Sequence, residues 1–107
     1  MKTMTDIYNE SGWKEAQEYP TGTFQKILHD DQVIRTMLLK LPEDFYMEPH
    51  AHITAEQHFV LKGEYTIGGK RFTEGTFQDI APHEEHGPFA SKKGAIILVS
   101  WYHNQAS

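Results

Sequence analysis

The run Pro49-His-Ala-His-Ile-Thr-Ala-Glu-Gln-His-Phe-Val-Leu-Lys-Gly63 sets His50, His52, Glu56 and His58 at even spacing. Read as extended backbone, where successive side chains point to opposite faces, that spacing throws three imidazoles and a carboxylate onto one side of a sheet. Neutral imidazole and carboxylate are the ligand types that hold first-row metals. Such a cluster on an inward face is hard to justify as packing, because buried polar groups need partners. The run therefore predicts a β-structure built around a metal site.

The rest of the chain agrees with β-structure. Runs rich in β-branched and aromatic residues cover 23–28, 33–41, 45–49, 57–67, 70–73, 76–80 and 95–102, with no sustained helical periodicity. Turn chemistry separates them at Asp30-Asp31, Pro42-Glu43-Asp44, Gly68-Gly69, Glu74-Gly75 and Lys92-Lys93-Gly94. The Gly68-Gly69 pair suits a two-residue hairpin. Many short strands at this spacing predict an all-β sandwich or barrel. The segment Ala-Ile-Ile-Leu-Val-Ser-Trp-Tyr at 95–102 lacks alternation, which predicts a central strand covered on both faces.

At 107 residues there is room for one core, expected over 13–107, with 1–12 as a polar N-terminal arm that is frayed or swapped onto a partner. The formal charge of −5 without a basic stretch argues against nucleic-acid binding. Without Cys, disulfides, thiolate zinc sites and cysteine nucleophiles are excluded, leaving nitrogen and oxygen as metal ligands. No stretch reads as a signal h-region or reaches the about 18 apolar residues that span a bilayer. A cytoplasmic protein without a membrane partner is the expectation.

These residues give the chain a family resemblance, and it is to the cupins. The first cupin motif pairs two His one residue apart with a Glu four residues after the second and a Gly seven further on; His50, His52, Glu56 and Gly63 meet it without a gap. The second runs from a Gly to a His eleven residues later, as Gly75 and His86 do. Inside it, Ala81 stands where proline is usual, Pro82 follows, His83 takes the place of a turn glycine and Ala90 sits where Asn is common. Among cupins the chain resembles the C-terminal domain of ChrR-type anti-sigma factors and small dioxygenases, on Trp13, Gly22, Lys26 with Leu28, the Leu-rich 38–42, and His86-Gly87-Pro88.

The resemblance implies a double-stranded β-helix, a jelly-roll-like barrel of two facing antiparallel sheets. It also implies one divalent transition metal per chain (Fe, Mn, Ni, Zn or Cu), held by His50, His52, Glu56 and His86, and frequently a homodimer. The sigma-binding zinc domain of the anti-sigma factors is not expected at this length.

Three imidazoles and one carboxylate leave a net positive centre with open octahedral positions, as substrate or O2 binding requires. The leading expectation is a metal-dependent enzyme of dioxygenase type. A diketone, hydroxyketone or catechol-like oxygen pair displaces water, and O2 reacts with the electron-rich enolate. Glu56 and His58 are the candidate catalytic groups, Glu56 as base and His58 in proton transfer. One alternative is a non-catalytic metal-loaded sensor of ChrR-like type; another is a redox-neutral isomerase, epimerase or lyase acting on a sugar acid or polyol. Scarce arginine, with Arg35 and Arg71 alone, disfavours a phosphorylated substrate.

Blander readings stand beside these. The ligand set fits a degenerate barrel without metal, and His58 fits a packing position. His83, Glu84 and Glu85 fit a solvated turn. Phe45, Tyr46, Met47, Trp101 and Tyr102 are pocket wall or core, and His29 and His103 are surface groups.

Overall fold

The computed structural model describes residues 6–51, 55–82 and 85–103, with His50, Ala51, Glu85 and His86 described through their backbone. Eleven strands fill them: β1 (Lys14–Glu15), β2 (Phe24–Asp30), β3 (Ile34–Leu41), β4 (Phe45–Met47), β5 (His50–Ala51), β6 (Glu56–Ile67), β7 (Lys70–Thr73), β8 (Phe77–Ile80), β9 (Glu85–His86), β10 (Phe89–Ser91) and β11 (Ala95–Tyr102). No helix occurs among the described residues, and none is long and apolar enough to cross a membrane. The fold is all-β, as its β-branched and aromatic runs predict.

The strand order β1-β2-β3-β11-β6-β10-β4 places β11 in the middle, with β7 and β8 also paired to β6, and β5 pairs β9 separately. β6 links the two walls. Its first half pairs with β11 and β8, its second half with β7 and β10. The bend between them falls at Gly63, where φ is +77° and an added Cβ would lie 2.5 Å from the Gly94 carbonyl oxygen. Only a residue without Cβ fits that approach. The curled sheet encloses Met37, Leu39 and Leu41 of β3, Ile97 and Val99 of β11 and Val60 of β6, packed onto Phe45, Tyr65, Ile67 and Phe89.

Outside, the N-terminal segment lies against the sheet. Lys26 Nζ donates to the Asn9 carbonyl at 2.6 Å, and the ammonium groups of Lys26 and Lys40 lie 5.5 and 5.6 Å from the Trp13 ring centroid. At Gly68-Gly69 both φ values are positive, as a primed hairpin turn requires.

Two expectations are modified. β11 is central, yet it alternates: Ala95, Ile97 and Val99 are buried, whereas Ile96 and Leu98 on the outer face are half-buried. The run from Pro49 to Gly63 is not one strand. β5 pairs with β9 and β6 with β11 and β8, and Ala55 belongs to neither strand, because the two stretches serve different sheets.

Candidate functional site

Glu56 and His58 lie two residues apart on the inner face of β6, both buried, with Glu56 6% exposed. Their side chains meet: His58 Nε2 is 2.6 Å from Glu56 Oε1. The other ring nitrogen, Nδ1, is 2.7 Å from the Tyr65 hydroxyl, which has a longer contact of 3.3 Å to Gln78 Oε1. Because the Glu56 carboxylate can only accept, the neutral ring carries its proton on Nε2, and Nδ1 is left to accept from the Tyr65 hydroxyl, with Gln78 Oε1 a second, longer acceptor for the same proton. His58 is then the Nε2–H tautomer. Both ring nitrogens are thereby engaged within the protein, and the geometry makes His58 an orienting partner of Glu56.

Folding brings this chain together through pairing that spacing alone does not reveal. Gln78 of β8 is the cross-strand partner of His58. Tyr65 sits beyond the Gly63 bend, stacked on Phe89 with the rings 5° from parallel. Burial, then the Glu56 charge, raises the Tyr65 phenol well above the ordinary tyrosine range, so it remains a proton donor.

The chamber around these groups is apolar. Leu39, Leu41, Phe45, Met47, Phe89, Ile97 and Val99 line it with Glu56, His58, Tyr19 and Tyr65, around a cavity of about 30 Å³. That is room for one or two water-sized groups. Tyr19 and Met47 also wall an outer cleft of about 510 Å³ with Pro20, Tyr46, Glu48 and Pro49. Burial, and then Glu56, raises the Tyr19 phenol too.

The second stretch of the proposed ligand set reaches the first through β5 and β9. Residues 50 and 86 are direct Cα partners in that antiparallel pair, and 51 faces 85. Opposed residues in such a pair lie about 5 Å apart at Cα. Pro49 and Gly87 flank the pair and approach so closely that a Cβ on Gly87, at φ +118°, would be 2.9 Å from Pro49 Cα. His52, His83 and Glu84 lie outside the described residues. His29 and His103 are elsewhere, paired with Asp31 and Asp30 at 2.7 and 2.8 Å. Phe45 and Met47 line the chamber and Trp101 packs on the core, whereas Tyr46 and Tyr102 are exposed.

A family model for the ChrR cupin-like domain matches residues 3–105. The chain belongs to that family. This ChrR cupin-like chain also matches solved structures. In the crystal structure of Rhodobacter sphaeroides SigE in complex with the anti-sigma ChrR, the match is 23% identical at a TM-score of 0.71, covering 89% of this chain and 51% of that one. It thus spans about half the length of that relative. An acetylacetone dioxygenase from Acinetobacter johnsonii matches at 13% identity and a TM-score of 0.77, covering 95% of this chain and 77% of that one. The polyketide cyclase RemF from Streptomyces resistomycificus matches at 20% and 0.73, over 97% and 80%. At these identities the likeness establishes the fold. No curated protein matches the chain.

The family's donors can be tested against this chamber. Glu56 is a carboxylate among apolar walls, and a buried carboxylate calls for hydrogen bonds and a cation. The histidines at 50 and 86 lie opposite each other in the backbone pairing, and no thiol competes. Imidazole and carboxylate are the donor types a first-row divalent metal takes. Sequence reasoning missed Tyr19, Tyr65 and Gln78, whose signals lie in pairing and loop packing.

Proposed function

We propose that this chain is a metal-dependent enzyme of the dioxygenase type, acting on a small substrate with a diketone, hydroxyketone or catechol-like oxygen pair. His50, His52, Glu56 and His86 would hold one divalent transition metal. When bound, such an ion supplies Lewis-acid polarisation of substrate oxygens and access to O2 chemistry.

The observation that carries this reading is a carboxylate–imidazole–phenol chain set into apolar walls. Apolar walls suit ketones and aromatic rings, whereas a sugar acid or polyol would call for many more polar groups, so the isomerase alternative loses ground. The walls exclude water, which strengthens each electrostatic contact inside. Glu56 is placed to take a proton from a bound substrate. His58 holds the carboxylate in one orientation, and the Tyr65 hydroxyl engages the other ring nitrogen.

Protein from unsupplemented cells should contain close to one first-row metal per chain. Loaded anaerobically with Fe(II), it should consume O2 with at least one member of a diketone and catechol panel. Silence across that panel overturns the enzymatic reading.

Membership of the ChrR cupin-like family favours a second reading, a metal-loaded sensor that responds to a small ligand and passes the response to a protein partner. Capture of a sigma factor by the purified chain would support it, and catalytic turnover without such capture would oppose it.

A further inference from the structure

Arg35 and Glu56 lie in one row across the inner face. Arg35 pairs with Trp101 of β11, and Trp101 pairs with Glu56 of β6. At about 4.8 Å per strand, their Cα positions are roughly 10 Å apart. The neighbouring row contains Met37, Val99 and His58, all buried on the chamber side, and strand parity gives Arg35 and Trp101 the same side.

The guanidinium is held in place. Its Nε and Nη2 donate to Asp30 Oδ2 at 3.0 and 2.7 Å, and its carbon lies 5.6 Å from the centre of the Trp101 ring. Asp30 is shared, since its other oxygen accepts from His103 Nε2 at 2.8 Å. Of five guanidinium N–H groups, those two contacts use one edge. The other edge has no hydrogen-bond partner among the described residues, and the side chain is 28% exposed.

A second donor lies on the Glu56 side of the row. Tyr19, from the loop between β1 and β2, lines the chamber with Glu56, and its phenol senses the charges of Glu56, Glu18 and, less strongly, Arg35. Its hydroxyl likewise has no hydrogen-bond partner among the described residues. A fixed guanidinium edge at one end of the Glu56 row and an unengaged phenol lining the chamber with Glu56 are the donors a planar anion would take.

We propose that Arg35 and the Tyr19 hydroxyl take up a carboxylate of the ligand, so that the substrate is a short oxo- or hydroxy-acid anion whose oxygenated end reaches Glu56. The Glu56 end rests on the metal-dependent reading above. The carboxylate end does not.

The test uses pyruvate and its neutral counterpart methyl pyruvate as probes, titrated into the full chain by NMR, with Mn(II) bound and after chelation. Wild-type protein should bind the acid about tenfold or more tightly than the ester. R35Q should erase that preference while leaving bound-metal content and ester binding unchanged. R35K should restore part of it, because it keeps the charge without the fork, and Y19F should reduce it severalfold. Melting curves establish that each variant folds. A wild type without acid preference, or an R35Q variant that keeps it, overturns the proposal. Arg35-dependent preference in protein that takes up no metal would sustain it while sinking the metal reading; metal uptake without preference would do the reverse.

Discussion

His58 donates from Nε2 to Glu56 Oε1 across 2.6 Å while its Nδ1 faces the Tyr65 hydroxyl at 2.7 Å, so one imidazole couples a buried carboxylate to a buried phenol. Removing the imidazole takes a donor from a carboxylate that is only 6% exposed. His58→Ala should therefore cost about 2–4 kcal/mol of folding stability. Tyr65→Phe removes a hydroxyl but leaves the Glu56 contact intact and should cost only about 1 kcal/mol. Urea unfolding of the two variants checks the order. Equal losses would show that the chain does not run through His58 to Glu56.

The Glu56–His58 half of this arrangement was legible in the sequence, because residues two apart on a strand share a face whatever else the fold does. Tyr65 was not. It follows the β6–β11 register shift that leaves Leu61 unpaired, and beyond that shift the buried positions of β6 change from even to odd numbers. Gln78 and Arg35 join the site through cross-strand register, which depends on which strands become neighbours. Long β-branched runs such as 34–41 and 95–102 announced themselves, whereas β1, β5, β9 and β10 are two or three residues long and carry no period. The even spacing of His50 with Glu56 and His58 suggested one continuous strand; β5 and β6 instead belong to separate sheets, and it is the 50–86 pairing that joins the two motifs.

The bend itself should be intolerant. Gly63→Ala would set a Cβ 2.5 Å from the Gly94 oxygen and 3.1 Å from Ala95 Cα, both backbone atoms that cannot rotate away. With the left-handed φ, which disfavours any L side chain by about 1–2 kcal/mol, the loss should exceed ~2 kcal/mol. By contrast, Gly69→Ala meets nothing within 4 Å and should show only the backbone penalty. Thermal melts that ranked Gly69→Ala the worse would refute this account of the bend.

Gly87→Ala probes the other junction. Its Cβ would press on Pro49 Cα at 2.9 Å, and these two residues adjoin the paired positions 86 and 50. Separating β5 from β9 by a fraction of an ångström should weaken metal uptake about tenfold or more, a change of roughly 1.4 kcal/mol or greater. Competition against a chromogenic chelator measures it. Unchanged affinity in a folded variant would mean that residues 50 and 86 do not act together.

Strong acid should weaken the β2–β3 turn. The Asp31 carboxylate accepts from the backbone N–H groups of Ile34 and Val33 and from His29, which lower its pKa from 3.8 to about 2. A folded-state pKa below the unfolded one means that the stabilisation is fully present above about 3.8 and is lost as the pH falls from there towards 2. Asp31→Asn should therefore be less stable than wild type at pH 6, with the gap closing between about pH 4 and 2. Urea midpoints over that range test it. A gap that stayed constant would remove Asp31 from the acid response.

Metal removal offers a direct check of the proposed ligand set. An ion present at about a thousand times its dissociation constant adds roughly 4 kcal/mol to native stability, so chelation should lower the melting temperature visibly. His50→Ala should abolish most of that chelator-sensitive shift, since position 50 is paired backbone to backbone with 86. His29→Ala should leave it intact, because His29 is exposed and paired with Asp31. Metal affinity should also fall as the pH drops through about 6.5, where free imidazoles take up protons and cease to be ligands. Identical melts with and without chelator, in protein shown to have been metal-supplied, would leave the fold standing and remove the metal from its chemistry.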